Sequence, residues 1–335
     1  MGRNLWINYS GVLSASVENK SDENQPKLTM DNQGRLFDDL AAAHQWFTRK
    51  HIVFAYQNLI FPHNNEKLNS PVIRPLNDKT LAFWLRPQLP FEGVELIIFA
   101  IWAGFQCVIR ANETEKTIYQ GILGLVTARY PEIDERIKFI DHPFGKVDAY
   151  VIVGERPAPS MLDYLKKKPV FLDTSGEYHS IAVVTGNESS EELNYLATDL
   201  CMYFGRSKFN IAELMVPVGY DFTDLLASVE NYRDQVNHSR YFNHYEYRKA
   251  AYIVSGEAII DNGFLLFIQG NHLDRHIGVV QYYEYKNNDL LKMNMKNRLV
   301  FKAKPDLKAG EQAFGSACGR GFYSVERFSE FIVKV

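Results

Sequence analysis

Hydrophobic and polar positions along the chain alternate between two periods. From residue 35, "RLFDDLAAAHQWFTRKHIVFAYQNLI" repeats apolar residues at helical spacing, whereas "KTLAFWL" at 79–85 is a short apolar run with the length of a buried strand. The alternation then becomes regular: 94–104 predicts a helix, 106–110 a strand, 115–130 a helix, and 136–140 and 148–155 strands. Strands separated by amphipathic helices predict a parallel sheet covered on both faces.

A second series starts at "SIAVVTG" (180–186), a continuous apolar strand that runs into Thr185, Gly186 and Asn187. The helix that follows, "SSEELNYLATDLCMYFG", opens with Ser caps and acids in its first turn. The stretch "YFGRSKFNIAELMVPVGYDF" (203–222) reads as a helix end, a tight polar loop, a buried strand closed by Val216 and Pro217, and a turn into another helix. Further on, Asp261, Asn262 and Gly263 lie between two β-rich runs and predict a hairpin. "IGVVQYYEY" continues the strand pattern. The fold class is therefore α/β, with two open units and a seam near 170–179, while the first 30 residues are polar and mixed, as in an exposed arm.

Composition narrows the partners. The 335 residues are 46% hydrophobic, 23% charged and 13% aromatic, enough apolar material for sizeable cores and too much for a disordered chain. A net charge of -3 without a long basic run gives no footprint for nucleic acid or an anionic membrane. Cys107, Cys201 and Cys318 are far apart and form no CxxC pair, which argues against a disulfide framework or a thiolate zinc site. The start "MGRNLWINYSGVL" lacks the features of a signal peptide or a myristoylation motif, and no later apolar run has the length of a membrane span. A reducing, cytoplasmic setting is the expectation.

The residues alone offer little sharp chemistry. GxGxxG, the P-loop and HExxH are absent. His272 and His276 in "HLDRH" have no third ligand nearby and read as a surface pair, so no metal is expected. "FGSACGRGF" (314–322) could bring backbone N–H groups to an anion, but a structural turn explains it as well. Cys201 on an apolar helix face and Cys107 in a core strand read as buried, inert thiols. What remains is a two-unit α/β protein with an enzyme-like cleft between the units.

"DLCMYFGRSKFNIAELMVPVGYDFTDLL" closely resembles the bacterial long-chain acyl-CoA and acyl-protein reductases, the LuxC-type branch of the aldehyde dehydrogenase superfamily. In that family Tyr-Phe-Gly is followed, two residues on, by Cys-Arg-Asn, and the next strand ends in Val-Pro before Gly-Tyr-Asp-Phe. "VVTGNESSEELN" (183–194), "DAYVIVG" (148–154), "YFNHYEYRKAAY" (241–252), "DNGFLL" (261–266), "VVQYYEY" (279–285) and "AFGSACGRGFYSVERFSEF" (313–331) are similar to other family segments, so the resemblance covers roughly 35–335. It implies two related Rossmann-like domains with a cleft between them: a polar arm over 1–33, a nucleotide-binding-like domain over 34–176 to which 305–335 returns, and a catalytic-like domain over 177–304. It also implies the family reaction, in which a cysteine thiolate attacks a fatty acyl thioester, CoA or a carrier thiol leaves, and NADPH reduces the enzyme thioester to an aldehyde. Cofactor contacts are implied for Pro87, Gln88, Arg110, Asn112, Gly154, Phe314 and Gly315. Association into a homo-oligomer is implied as well.

Two departures bear on that activity. Counting nine residues back from Pro217, the nucleophile position is Lys208, flanked by Arg206 and Ser207 where Leu-Gly is usual and by Phe209 where Arg is usual; Asn210 is retained. An ammonium cannot form a thioester, and an amide would resist hydride. In the first nucleotide-domain loop, "RPQLPFEG" (86–93) replaces Gly-Asn with Pro87 and Gln88, and Glu92 stands where an apolar residue is usual. Proline removes an N–H donor there. Arg110 replaces a Lys and Glu113 a Ser near the ribose strand, and an acid would repel a 2′-phosphate. Two readings stay open: a catalytically silent protein that binds acyl-CoA or a partner such as an acyl carrier, or an NAD(P)H-dependent enzyme with relocated chemistry at Cys318, Cys201 or Lys208. A plain role for Lys208 is a solvated lysine or one paired with Glu177 or Glu213.

Overall fold

The structure is a computed structural model of the chain that describes residues 30–59, 77–87, 89–127, 131–154, 157–172, 179–207, 209–270, 275–286, 298–308, 311–318 and 323–335. The arm residues 1–29, and Gln88, Glu177, Lys208 and His272, lie outside the described residues.

The helical stretch that begins near residue 35 is two helices, α1 (Met30–Ala43) and α2 (Arg49–Gln57). Thr48 separates them because its hydroxyl caps α2, accepting from His51 N, while the His51 ring accepts from the Thr48 N–H. The first sheet follows: β1 (Thr80–Arg86), α3 (Val94–Trp102), β2 (Gln106–Arg110), α4 (Glu113–Thr127), β3 (Ile137–Ile140), β4 (Ala149–Gly154), α5 (Pro159–Leu165) and β5 (Val170–Leu172). Its five strands are ordered β3-β2-β1-β4-β5 and all pair in parallel, with Leu81 in register with both Cys107 and Ala149. α3 stops at Trp102, short of the predicted 104, because Gly104 takes φ +96° and turns the chain into β2.

The second sheet is built from β6 (His179–Val183), α6 (Ser190–Cys201), β7 (Glu213–Pro217), α7 (Thr223–Val229), α8 (Ser239–Val254), β8 (Ile259–Asp261), β9 (Leu266–Gln269), β10 (Val279–Tyr285), β11 (Arg298–Lys302) and β12 (Gln312–Ala313). Seven strands run β12-β11-β6-β7-β10-β9-β8, parallel except for the hairpin of β8 and β9. That hairpin turns at Asn262 and Gly263, where Gly263 takes φ +93°, as the Asp-Asn-Gly run predicts. α6 begins with a full capping box between Ser189 and Glu192.

The last helix, α9 (Tyr323–Lys334), leaves the second sheet and packs on the first. Phe328, fully buried, meets Phe171 at 5.1 Å, Phe83 at 6.3 Å and Phe99 at 6.4 Å between ring centroids. Removing such a ring costs about 3–5 kcal/mol. One hydrophobic core runs through both sheets, from Leu81 and Ile109 to Leu214 and Val280. Among the described residues no helix is long and apolar enough to cross a membrane.

Candidate functional site

The segment between α6 and β7 departs from regular backbone. Where the sequence predicts helix to Gly205, α6 ends at Cys201, and Tyr203 (φ +54°), Phe204 (φ +63°) and Gly205 (φ +61°) are left-handed in succession. Only the glycine enters that region freely; each aromatic residue costs roughly 1–2 kcal/mol there. Burial holds them, since Tyr203 and Phe204 are almost wholly enclosed. The Phe204 ring lies 4.6 Å from His51, 4.5 Å from His238 and 5.2 Å from Tyr241, and Tyr203 lies 5.3 Å from His51. Helix α2 is thus a wall of the site. Burial lowers the His51 imidazole to about 3, so it is neutral at ordinary pH.

Asn210, wholly buried, organises the loop. Its Oδ1 accepts from Ser207 N at 2.9 Å; its Nδ2 faces Asp199 O at 2.8 Å, Met202 O at 2.9 Å and Cys318 Sγ at 3.1 Å. Carbonyls on one side and an N–H on the other fix which amide atom is oxygen. Ser207, also wholly buried, accepts from Phe209 N at 3.0 Å through its hydroxyl.

The glycine-rich C-terminal turn closes over this loop. Asp199, on α6 and wholly buried, accepts from Gly315 N at 2.6 Å and from Ala317 N at 2.9 Å. Phe314 N bonds Lys302 O at 3.0 Å, and Gly315 takes φ +84°, where a Cβ would come within 3.1 Å of the Tyr195 side chain. The Cys318 thiol points at the carbonyls of Thr198 (3.8 Å) and Asp199 (3.7 Å). Asn210, Phe314, Gly315 and Cys318, singled out from sequence, therefore meet in one place. Asp199 was missed; its only signal is a lone carboxylate between apolar neighbours in "YLATDLCMYF".

Pro87, Arg110, Asn112 and Gly154 gather elsewhere, at the C-terminal ends of β1, β2 and β4, where the strand order reverses between β1 and β4. A Cβ on Gly154 (φ +87°) would stand 2.0 Å from Arg86 O, so glycine is required by strand approach alone. The loop beyond Pro87 folds inward: Leu89 and Phe91 are buried, Phe91 with φ +62°, and Gly93 sits against the Val153 side chain. Tyr119 donates to Glu92 O at 2.5 Å. Asn112 caps α4 by accepting from Glu115 N at 2.9 Å, and the Glu115 carboxylate accepts from Asn112 N at 3.0 Å. Arg110 lies over the Trp84 ring at 5.6 Å.

A dinucleotide at such a crevice needs open backbone N–H groups at a helix start and room for the pyrophosphate. Here the capping box at α4 engages the N–H groups of Asn112 and Glu115, and the Leu89 and Phe91 side chains of the β1 to α3 loop are buried. Across from it, Arg206 lies over Trp46 at 4.7 Å; burial holds its guanidinium below the usual arginine range, and the Glu92 carboxylate partly offsets this. Among the described residues no group of three or more His, Cys, Asp or Glu is placed to hold a metal ion.

With one parallel sheet and one parallel but for its β8–β9 hairpin, bridged by a returning C-terminal segment, the chain has an aldehyde dehydrogenase-like fold. Solved structures similar to this chain include a cysteine-to-alanine mutant of aldehyde dehydrogenase C from Pseudomonas syringae in complex with NAD+ and octanal, at TM-score 0.55 and 11% identity over 84% of this chain and 70% of that one. An NAD-dependent aldehyde dehydrogenase from Sinorhizobium meliloti matches at TM-score 0.51 and 16% identity, over 69% of this chain and 56% of that one. An indole-3-acetaldehyde dehydrogenase in complex with NAD+ matches at TM-score 0.51 and 11% identity, over 70% and 57%. This chain thus spans little more than half the length of the last two. No protein-family model matches the sequence, and no curated protein matches it.

Proposed function

We propose that this chain is an acyl-CoA reductase-like protein that keeps the two-domain architecture without the thioester chemistry, and that it acts by binding an acyl thioester, CoA or a protein partner such as an acyl carrier. One observation carries the reading: all three cysteines of the chain are buried, with Cys107 0%, Cys201 2% and Cys318 5% exposed. A thioester mechanism needs a thiolate within reach of substrate. Burial pushes the Cys107 and Cys201 thiols well up, away from the reactive form. Lys208 holds the sequence position of the nucleophile, and the Asn210 amide beside it is engaged on every side. The altered loop at Pro87, with Leu89 and Phe91 buried, favours a protein that does not use NADPH, although neighbours of the same fold carry NAD+.

Incubation with NADPH and long-chain acyl-CoA should yield no aldehyde, and Lys208→Cys should not restore it because the β1 loop keeps Pro87 and Gln88 in place of Gly-Asn. Sustained aldehyde formation by the unaltered protein would end this reading. Thermal-shift measurements separate the binding partners: CoA or acyl-CoA should raise the midpoint and NADPH should not.

A second reading, an active enzyme that uses Cys318, rests on the 3.1 Å approach of its sulfur to Asn210 Nδ2. Against it stand the two carbonyl oxygens, which accept from a thiol and oppose a thiolate. A mass increase on Cys318 after brief exposure to acyl-CoA would favour this reading over the silent one.

A further inference from the structure

The loop after α6 carries charge that the reductases it resembles do not place there. Arg206 and Lys208 stand where those proteins have Leu and Cys, so an apolar side chain and a thiol give way to two cations. Arg275 Nη2 donates to Gly205 O at 3.0 Å, which brings a further guanidinium against the same backbone. A neutral acyl thioester gains little from such charge, and an anion gains much.

Arg206 lacks an acceptor. It is half-buried, and its guanidinium lies 4.7 Å over the Trp46 ring. Among the described residues that side chain makes no hydrogen bond and no ion pair, so its N–H donors are left to solvent or to a ligand. Burial holds the guanidinium below the usual arginine range, the mark of a cation that has lost part of its hydration. The backbone beneath it is fixed: Arg206 N donates to Tyr203 O at 3.1 Å, and the next residue, Ser207, is wholly buried and bonded to Asn210 and Phe209. A guanidinium held in this way is best met by two coplanar oxygens, which a carboxylate presents. The Glu92 carboxylate already acts on the same cation, which favours a monoanion over a phosphate dianion.

We propose that Arg206 binds the carboxylate of a free fatty acid at the loop after α6. The proposal shares with the reading above the premise that the protein holds an acyl chain, and adds the acid as the form in which this loop meets it. No covalent bond forms or breaks: the carboxylate replaces water at the guanidinium.

Octanoate is the probe, with octan-1-ol as the chain of equal length that lacks the charge and octanoyl-CoA as the thioester. Isothermal titration of the full chain at neutral pH should show saturable binding of octanoate and about tenfold weaker binding of octan-1-ol. Arg206→Leu should weaken octanoate by about tenfold and leave octan-1-ol unchanged. Arg206→Lys should recover part of the affinity, because it keeps the charge without the planar fork, and Glu92→Gln should tighten octanoate by removing a like charge. Equal affinity for octanoate and octan-1-ol would overturn the proposal, as would octanoate binding that survives Arg206→Leu. Should Arg206→Leu fail to fold, Glu92→Gln decides, and octanoate binding that is unchanged or weaker there overturns the proposal. Octanoyl-CoA separates the two readings. Its binding without any of octanoate overturns this proposal and leaves the one above standing, whereas octanoate binding lost in a folded Arg206→Leu supports this one even where octanoyl-CoA does not bind.

Discussion

The loop after β1 and the loop after α6 hold their shapes by different physics. The first is a matter of volume: Leu89 and Phe91 are buried, and Gly93 and Gly154 leave space for Val153 and for the Arg86 carbonyl. The second is a matter of hydrogen bonds: Ser207, Asn210 and Asp199 are wholly buried polar groups, and each is hydrogen-bonded. A packed loop fails when its volume is altered, whereas a networked loop fails when a single partner is lost. Sequence change at Lys208 beside a network, and at Pro87 beside a packed loop, therefore has different consequences.

Asp199→Ala should have the largest effect. It strips a charged acceptor from two buried N–H groups, Gly315 and Ala317, and should cost about 3–5 kcal/mol in chemical denaturation. A cost below about 1 kcal/mol would mean that the C-terminal turn is held by packing instead, and the contrast between the loops would collapse. Gly154→Ala probes the other loop. Its Cβ meets main-chain atoms that cannot rotate away, and the positive φ adds strain, so about 2–4 kcal/mol should be lost, with no rescue by substitutions that change only polarity.

The smallest effect is set by pH. His51 titrates at about 3 in the folded protein because burial disfavours its charge, against 6.5 ordinarily. A folded value below the unfolded one means that the unfolded chain binds the extra proton between the two, so stability is full above 6.5 and falls as pH drops toward 3. About 2 kcal/mol should be gone by pH 5, and His51→Phe should flatten that part of the profile. Because the His51 ring packs against Tyr203 and Phe204, acid should loosen the loop after α6 before the one after β1, as hydrogen exchange can follow.

Much of the fold was legible because local signals agreed with it. The helix-strand alternation, the Ser189 and Glu192 box, and the Asp-Asn-Gly turn each have a short-range cause. The left-handed Tyr203 and Phe204 were not legible, since "CMYFG" continues a helical pattern and only tertiary burial overrides it. The site was readable in part. Asn210 and Cys318 could each be singled out, but their contact spans 108 positions, and nothing local tells that Asn210 would be a strut of the loop. Lys208 itself is read from the sequence alone.

The returning C-terminal segment has a consequence for synthesis. Phe171 emerges from the ribosome 157 residues before Phe328, the ring that covers it. Until then the surface formed by Phe83 and Phe171 of the first sheet and Phe99 of α3 lacks its lid, so a nascent chain would expose aromatic rings while most of the second sheet is still being made. That closure joins positions far apart in sequence, so its loop-closure entropy must be met before the contact rewards it.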